Sequence, residues 1–113
     1  MERVGNVWRV RPGRAEDYDR RHAKIWPELD RLLREAGITK YTIYRWGEIV
    51  FSHMEVEDYA AMVERFGNDP VAQRWEEEFS ELIHYPNADE AGWPERLHEV
   101  WDLGPHPAAG SER

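Results

Sequence analysis

The chain has 113 residues, of which 41% are hydrophobic, and it contains six Trp, five Tyr and three Phe. This composition is enough for one domain with a single core. The formal net charge of −8 argues against nucleic acid or anionic lipid as a partner. No Cys is present, which excludes disulfides and thiolate chemistry and fits a reducing compartment. No apolar run approaches the roughly 20 residues of a membrane span, and the first six residues do not resemble a signal peptide, so we expect a soluble cytoplasmic protein.

The first half of the chain predicts a strand followed by a long helix. Residues Arg3–Arg11 alternate and are rich in Val and Trp, as in a strand, and Pro12 and Gly13 end it. A helix is predicted from near residues 14–16 to Ala36, because Gly37 is a good residue for a helix C-terminus. Pro27 has no N–H to donate, so we expect a kink or a short break near residues 23–26.

The second half predicts a hairpin, two helices and a last strand. The hairpin is expected from strands at Ile38–Arg45 and Ile49–Val56. One helix is expected from Asp58 to residues 67–68 and a second at Asp69–Leu82. A loop at His84–Pro94 and a strand at Leu97–Leu103 are expected to follow. Asp69 followed by Pro70 is a typical helix start. Residues 104–113 are polar and are expected to form a disordered tail after a single domain over residues 1–103.

This order, β-α-β-β-α(α)-β, predicts an α+β fold of the ferredoxin-like, split βαβ type. Four strands would form one antiparallel sheet with the helices on one face. Alternate strand positions point away from the helices, so Trp8, Phe51 or Val50, and Trp101 cannot all be covered by them. Because a bare aromatic face marks an association surface, we expect a sheet-to-sheet homodimer, a dimeric α/β barrel.

The first helix places polar side chains on its inward stripe. At helical spacing, Tyr18 and His22 fall on the same side as the apolar residues that continue the stripe, Ile25, Trp26, Leu29, Leu32 and Leu33. A phenol and an imidazole one turn apart, both facing inward, are either satisfied within the core or part of a polar site. The spacing leaves both interpretations open.

The sequence lacks the common motifs of catalytic and cofactor sites, which narrows the kinds of reaction that it could catalyse. None of the five His residues has a partner at metal-ligand spacing, and no phosphate loop, nucleophile elbow or dinucleotide fingerprint is present. What remains is proton transfer by His22 or a carboxylate beside aromatic surfaces. Trp75 and Tyr41 could converge on the Tyr18 and His22 turn, as in a sugar site, although Trp75 could equally be ordinary core packing.

Several segments of the chain resemble the L-rhamnose mutarotase family. The resemblance rests on Tyr18–Leu29 (YDRRHAKIWPEL), Tyr41–Tyr44 (YTIY), Gln73–Trp75 (QRW) and Leu97–Leu103 (LHEVWDL), in the family's order and spacing. It extends over nearly the whole chain from Arg3 to Leu103. The family is known as a small dimeric α+β fold that interconverts the α and β anomers of L-rhamnose without a cofactor.

The resemblance implies roles for individual residues. His22 corresponds to the family's proton donor, Tyr18 and Tyr41 correspond to substrate-binding tyrosines, and Trp75 corresponds to the first residue of a sugar-binding aromatic pair. The second residue of that pair is usually another Trp, and here it is Glu76. A carboxylate removes apolar contact and adds a hydrogen-bond acceptor, which leaves the identity of the sugar open.

Two other functions remain as alternatives at this point. One is a different enzyme on the same scaffold, such as a cofactor-free monooxygenase or a cyclase, and the other is a non-catalytic sugar-binding module. Fold alone does not separate them. The sequence also leaves open the complementary base, the roles of His53 and His98, and whether Asn87 or Asp89 reaches the site from the loop.

Overall fold

The computed structural model describes residues 1–86, 88 and 93–104. Within them, four strands and four helices follow one another as β1 (Glu2–Val10), α1 (Ala15–Ala23), α2 (Pro27–Glu35), β2 (Ile38–Trp46), β3 (Ile49–Val56), α3 (Tyr59–Asn68), α4 (Pro70–Phe79) and β4 (Ile83–His84). The predicted α+β architecture is confirmed. Asn87, Asp89 and the predicted tail after Gly104 lie outside the described residues.

The strands form one antiparallel sheet in the order β2-β3-β1-β4. The long strands β1 and β3 lie in the centre, with Trp8 opposite Val50 in their register. β2 and β3 form the predicted hairpin, in which Tyr41 lies opposite Met54. Gly47, in the turn between them, has a φ of +60°, a value that glycine adopts without steric cost.

The period-two pattern of the strands determines which side chains enter the core. Alternate residues of β1 and β3 are buried beneath the helices, namely Val4, Asn6, Trp8, Val10, Val50, Ser52, Met54 and Val56. The helices contribute Tyr18, Leu29, Met62 and Phe79 to the same layer. Because all of these side chains lie on one side of the sheet, the fold has a single helical layer, as predicted.

The predicted long helix is divided at Pro27. α1 ends at Ala23, and α2 begins with Pro27 as its first helical residue. Trp26 adopts an extended conformation, with φ −65° and ψ 137°, as expected before a proline. α2 ends before Gly37, whose φ of +91° allows the chain to turn into β2. The expectation of a short break is therefore confirmed, and it makes α1 a separate unit that carries Tyr18 and His22.

The two later helices begin as predicted, but the second is shorter. Asp58 accepts a hydrogen bond from the N–H of Ala61, and Asp69 accepts one from Val71, so both carboxylates cap their helices. The predicted end of α4 at Leu82 is wrong, because the helix stops at Phe79. Leu82 instead lies in a turn, where its carbonyl accepts a hydrogen bond from Arg11 at 2.7 Å.

The last strand differs from the prediction. Residues Leu97–Leu103 are not a strand, and the sheet is completed by Ile83–His84, which pairs with Arg9 and Val10 and includes the first residue of the predicted loop. The turn after α4 returns the chain to β1 too early for the later segment to take that position. The later segment lies against the first half of β1, where Leu97 donates a backbone hydrogen bond to Gly5 at 2.8 Å.

The sheet face opposite the helices carries aromatic side chains that no described residue buries. Phe51 is 42% exposed, and Tyr44 and Trp46 on β2 are more exposed still. Trp8 and Val50, by contrast, are buried on the side of the sheet that faces the helices. Of these three strand residues, only Phe51 lies on the outer face, as predicted for one of them. Trp101 is 73% exposed in the segment beside β1, together with Val100 and Leu103.

Candidate functional site

A cavity of about 420 Å³ lies between the sheet and the helices. Its volume is within the range of about 300–1,000 Å³ that is typical of small-molecule sites. Aromatic rings supply much of the wall, through Trp8, Tyr18, Tyr41, Trp75, Tyr85 and Trp93. Hydroxyl, imidazole and carboxyl groups interrupt this aromatic surface. Such a wall suits a ligand with both apolar faces and polar groups.

Tyr18 is anchored to the centre of the sheet. Its ring is 3% exposed, and its hydroxyl oxygen accepts a hydrogen bond from Nε1 of Trp8 at 3.1 Å. Desolvation raises the pKa of Tyr18, while the Trp8 hydrogen bond acts in the opposite direction. The phenol therefore stays neutral at physiological pH, and its O–H remains available to donate to a second partner.

His22 lies one turn after Tyr18 and is half-buried. Its Nδ1 is 3.1 Å from the carbonyl oxygen of Tyr18, and because a carbonyl can only accept, Nδ1 must carry the proton. Nε2 is then an acceptor when the ring is neutral and a donor when it is charged. Desolvation lowers the pKa of His22, partly opposed by this hydrogen bond and by the charge of Asp19.

Asp19 is itself held by a cation on the sheet. The guanidinium of Arg45 on β2 contacts both carboxylate oxygens of Asp19, with Nε at 2.8 Å from Oδ1. This ion pair fixes α1 against the hairpin and lowers the pKa of Asp19. The helix that carries the imidazole is thus positioned by a bidentate contact outside the cavity.

Trp75 connects α4 to the imidazole. Its ring stacks on Phe79 at a centroid distance of 4.4 Å and meets Trp26 edge-on at 5.0 Å. The ring of His22 approaches Trp75 edge-on at 5.9 Å and Phe79 at 5.0 Å. Trp75 is therefore both core packing and part of the cavity wall, so the two predicted interpretations are not exclusive.

Glu76 and Tyr85 face each other in the cavity wall. The hydroxyl of Tyr85 donates to Oε2 of Glu76 over a long distance of 3.5 Å. Desolvation raises the pKa of Glu76, and the Tyr85 hydrogen bond acts against this shift. Glu76 lines the cavity, and the residue as a whole is exposed to solvent. Tyr41 shares this environment, and desolvation raises its pKa as well.

No group of three or more His, Cys, Asp or Glu residues with metal-binding geometry occurs in residues 1–86, 88 and 93–104. In the same part of the chain, no helix is long and apolar enough to cross a membrane.

Comparison with models of known protein families shows to which family this chain belongs. The model of the family described as L-rhamnose mutarotase matches residues 3–103. This chain belongs to the L-rhamnose mutarotase family. The family is one of anomer-interconverting isomerases, and the predicted resemblance is confirmed.

Individual members of the L-rhamnose mutarotase family are similar over most of their length. The L-rhamnose mutarotase of Klebsiella pneumoniae (strain 342) is 35% identical over 105 residues, which cover 91% of this chain and 99% of that protein. The L-rhamnose mutarotase of Enterococcus faecalis is 34% identical over 96 residues, covering 83% of this chain and 91% of that protein.

Two solved structures share the fold. The L-rhamnose mutarotase FA22100 from Formosa agariphila superposes with a TM-score of 0.73 at 21% identity, covering 92% of this chain and all of that one. Tetracenomycin F2 cyclase from Streptomyces glaucescens, a type-II polyketide cyclase, gives a TM-score of 0.62 at 19% identity with the same coverage. At such identities these likenesses show the fold alone.

The structure brings all five predicted site residues of this mutarotase-family chain to one cavity, which Tyr18, His22, Tyr41, Trp75 and Glu76 line together. Glu76 is exposed like its neighbours Glu77 and Glu78, and it also lines the cavity. The sequence did not identify Tyr85 or Asn6. Tyr85 was hidden in a predicted loop, whereas Asn6 could have been found, because it is a polar residue at an inward position of β1.

Proposed function

We propose that this protein interconverts the α and β anomers of L-rhamnose, or of a closely related pyranose, without a cofactor. Family membership supports the reaction class. The observation that carries the proposal is the imidazole of His22, whose Nδ1 is committed to a backbone carbonyl and whose Nε2 is left for a ligand in an aromatic cavity.

The reaction requires two proton movements at neighbouring oxygen atoms. A proton leaves the anomeric hydroxyl and another reaches the ring oxygen, so that the ring opens to the aldehyde. Rotation about the C1–C2 bond and closure on the other face give the second anomer. Ring closure reverses the proton movements of ring opening, so each catalytic group must both donate and accept a proton. An imidazole with a pKa near neutrality can do this.

The remaining predicted residues would hold the sugar in this proposal. Tyr18 offers a hydroxyl whose orientation Trp8 fixes, and Tyr41 offers a second one from β2. The ring of Trp75 would stack on the C–H face of the pyranose. Glu76 would accept hydrogen bonds from sugar hydroxyls, in place of the apolar contact that a second Trp would make. A sugar with an additional hydroxyl group is therefore a candidate beside L-rhamnose.

The proposal includes a homodimer formed through the outer face of the sheet. Phe51, Tyr44 and Trp46 form an apolar surface there that no described residue covers, and residues of this kind are enriched at the cores of interfaces. The net charge of −8 speaks against nucleic acid as a partner. A cytoplasmic location is part of the same proposal, and a chain without cysteine is compatible with it.

The proposal is tested by magnetisation-exchange NMR on equilibrated L-rhamnose. The anomer interconversion rate is compared with and without a catalytic amount of protein in the same buffer, and the measurement is repeated with a panel of other pyranoses. Acceleration well above the buffer rate supports the proposal, and the panel then ranks the substrates. The absence of acceleration for every pyranose would refute it.

A further inference from the structure

Asn6 is a polar residue in the centre of the inner face of the sheet. It lies on β1 between the buried residues Val4 and Trp8, and Ser52 lies opposite it in the register with β3. Asn6 itself is 6% exposed. An apolar side chain would fill this position without cost, whereas a buried amide costs free energy unless its polar atoms are hydrogen-bonded. The partners of both amide atoms therefore matter.

Only one of the two amide atoms of Asn6 has a partner in the described part of the chain. Nδ2 donates a hydrogen bond to the backbone carbonyl oxygen of Glu95 at 3.3 Å. Because a carbonyl can only accept, this contact identifies the nitrogen side of the amide, and Oδ1 must point the other way. Within residues 1–86, 88 and 93–104, no group donates a hydrogen bond to Oδ1. The amide oxygen therefore keeps its full capacity to accept.

The amide oxygen of Asn6 is accessible from the cavity. Among the side-chain polar atoms of the described residues, only Oγ of Ser52 is both completely buried and without a partner. Oδ1 of Asn6 also lacks a partner, so it cannot be completely buried, and the open space beside Asn6 is the cavity that this residue lines. Ser52, by contrast, does not line the cavity. A ligand can therefore reach the oxygen of Asn6 but not that of its neighbour across the strands.

The floor of the cavity at Asn6 is connected to the imidazole through Trp8. Trp8 is the next inward residue of β1, about 7 Å along the strand from Asn6. Its indole N–H donates to the hydroxyl oxygen of Tyr18, on whose ring His22 packs at a centroid distance of 4.4 Å. Asn6 and His22 line the same cavity. A pyranose has hydroxyl groups on several ring carbons, so a sugar whose anomeric carbon lies at His22 can present another hydroxyl group to Asn6.

We propose that Oδ1 of Asn6 accepts a hydrogen bond from a hydroxyl group of the pyranose at a ring carbon other than C1. Asn6 is then a substrate-binding residue that determines specificity. The identity of the ligand as a pyranose rests on the proposed function. The bond satisfies the amide on both sides, because Nδ2 donates to the protein and Oδ1 accepts from the sugar.

The free acceptor defines the kind of ligand that fits the floor of the cavity. A neutral hydroxyl group can donate to an amide oxygen, whereas an ionised carboxylate only accepts. A ligand without a donor at this point would cover Oδ1 and leave it unpaired, which costs affinity. Asn6 therefore favours a polyhydroxylated ring over an apolar one, and it disfavours a sugar that lacks the hydroxyl group in question.

The bond from Nδ2 also gives Asn6 a contact with the cavity wall. Glu95 follows Trp93 and Pro94, which line the cavity, so loss of the amide would also loosen this part of the wall. A displaced wall weakens the binding of every sugar alike. Loss of a hydrogen bond to one hydroxyl group affects only the sugars that carry that group. Analogues that lack single hydroxyl groups therefore distinguish the two effects.

The test measures the binding of L-rhamnose and of the three analogues that lack its hydroxyl group at C2, C3 or C4. Titration calorimetry gives the Kd of each sugar for the wild type, Asn6→Ala and the matched control Ser52→Ala. For L-rhamnose, Asn6→Ala should raise the Kd about 2- to 10-fold, and the KM of anomer exchange should rise equally with kcat retained. Ser52→Ala, on the opposite strand and without access to the ligand, should bind like the wild type.

One of the three analogues should have the same Kd for Asn6→Ala and the wild type, because it lacks the hydroxyl group that Asn6 binds. Asn6→Val, which suits a strand interior, serves in the same measurement if the alanine variant does not fold. An unchanged Kd for L-rhamnose in the variant, or an equal weakening for L-rhamnose and all three analogues, would overturn the inference.

Anomer exchange measured on the same samples tests the proposed function separately. A wild type that shows this binding pattern but does not accelerate exchange supports the role of Asn6 and contradicts the proposed function. A wild type that accelerates exchange while Asn6→Ala binds all four sugars like the wild type supports the proposed function and overturns the inference. A wild type that binds none of the four sugars overturns the inference as well.

Discussion

The indole N–H of Trp8 donates a hydrogen bond to the phenol oxygen of Tyr18 at 3.1 Å and joins the central strand of the sheet to the first helix. Both side chains are buried, so neither end of this bond can exchange its partner for bulk water. The bond fixes the ring on which His22 packs. The position of the imidazole in the cavity therefore depends on a contact made in the core.

Replacing Tyr18 with Phe tests this dependence. The substitution leaves the indole N–H of Trp8 buried without an acceptor, so the free energy of unfolding should fall by about 1–3 kcal/mol. Chemical denaturation measures the change. Tyr44→Phe is the control, because its ring lies exposed on the other face of the sheet, and it should unfold like the wild type. Equal stability of the Tyr18 variant would contradict the role of this bond.

Glu76→Gln should make the protein more stable at neutral pH. Because desolvation raises the pKa of Glu76 in the folded state, the wild type loses stability as pH rises through that pKa, and it shows no such loss below the pKa of the unfolded chain. The amide variant lacks this loss. Thermal unfolding should show a higher Tm for the variant at pH 7–8 and a smaller difference at pH 4.

The matched control for this experiment is Glu78→Gln, which removes an exposed carboxylate from the same helix. Its Tm should follow the wild type across the pH range. A Glu76 variant whose Tm also follows the wild type at every pH would show that desolvation does not raise the pKa of this carboxyl.

Tyr85→Phe should move the titration of Glu76 in a defined direction. The Tyr85 hydroxyl lowers the pKa of Glu76 by donating to its carboxylate, so its removal should raise that pKa further. NMR of a labelled Glu76 carboxyl carbon measures the pKa without any assay of activity. An unchanged or lower pKa in the variant would mean that the 3.5 Å contact is not a hydrogen bond in solution.

Phe51→Glu should disrupt the proposed homodimer. Phe51 lies in central strand β3, opposite Val7 and Tyr44 on the neighbouring strands, so the new charge would enter the middle of the outer face. Light scattering should give about twice the 13.4 kDa chain mass for the wild type and the single-chain mass for the variant. Ala61→Glu, which adds the same charge on an exposed position of α3, should remain dimeric. A monomeric wild type would contradict the proposed interface.

The sequence predicted the parts of the fold that depend on local patterns. The alternation of Val4, Trp8 and Val10 and the helix start at Asp69 follow from neighbouring residues, and all lie as expected. The last strand was placed wrongly because pairing with β1 is a long-range choice. Residues 97–103 have a strand-like composition, but Ile83 and His84, which come earlier in the chain, pair with β1 instead. They follow a turn that no local sequence pattern predicted.

Helical spacing and family resemblance predicted the main residues of the candidate site. The polar side chains of the cavity wall were predicted only in part. His22 and Tyr18 share an inward stripe that can be read from the sequence. Glu76 stands in a run of three glutamates, and nothing local distinguishes the one that faces the cavity. Its neighbour Tyr85 reaches it only because the chain turns back after α4, which is a tertiary event.

The most direct test of the account compares anomer exchange by the wild type and by His22→Asn. The Asn amide can still donate to the Tyr18 carbonyl, as Nδ1 does, but it supplies no titrating Nε2. We predict that the acceleration by His22→Asn falls by about 10²–10⁴-fold with the fold retained, whereas His84→Asn, at an exposed position of β4, matches the wild type. If His22→Asn accelerates exchange as fast as the wild type, the imidazole does not transfer the proton and the account is wrong.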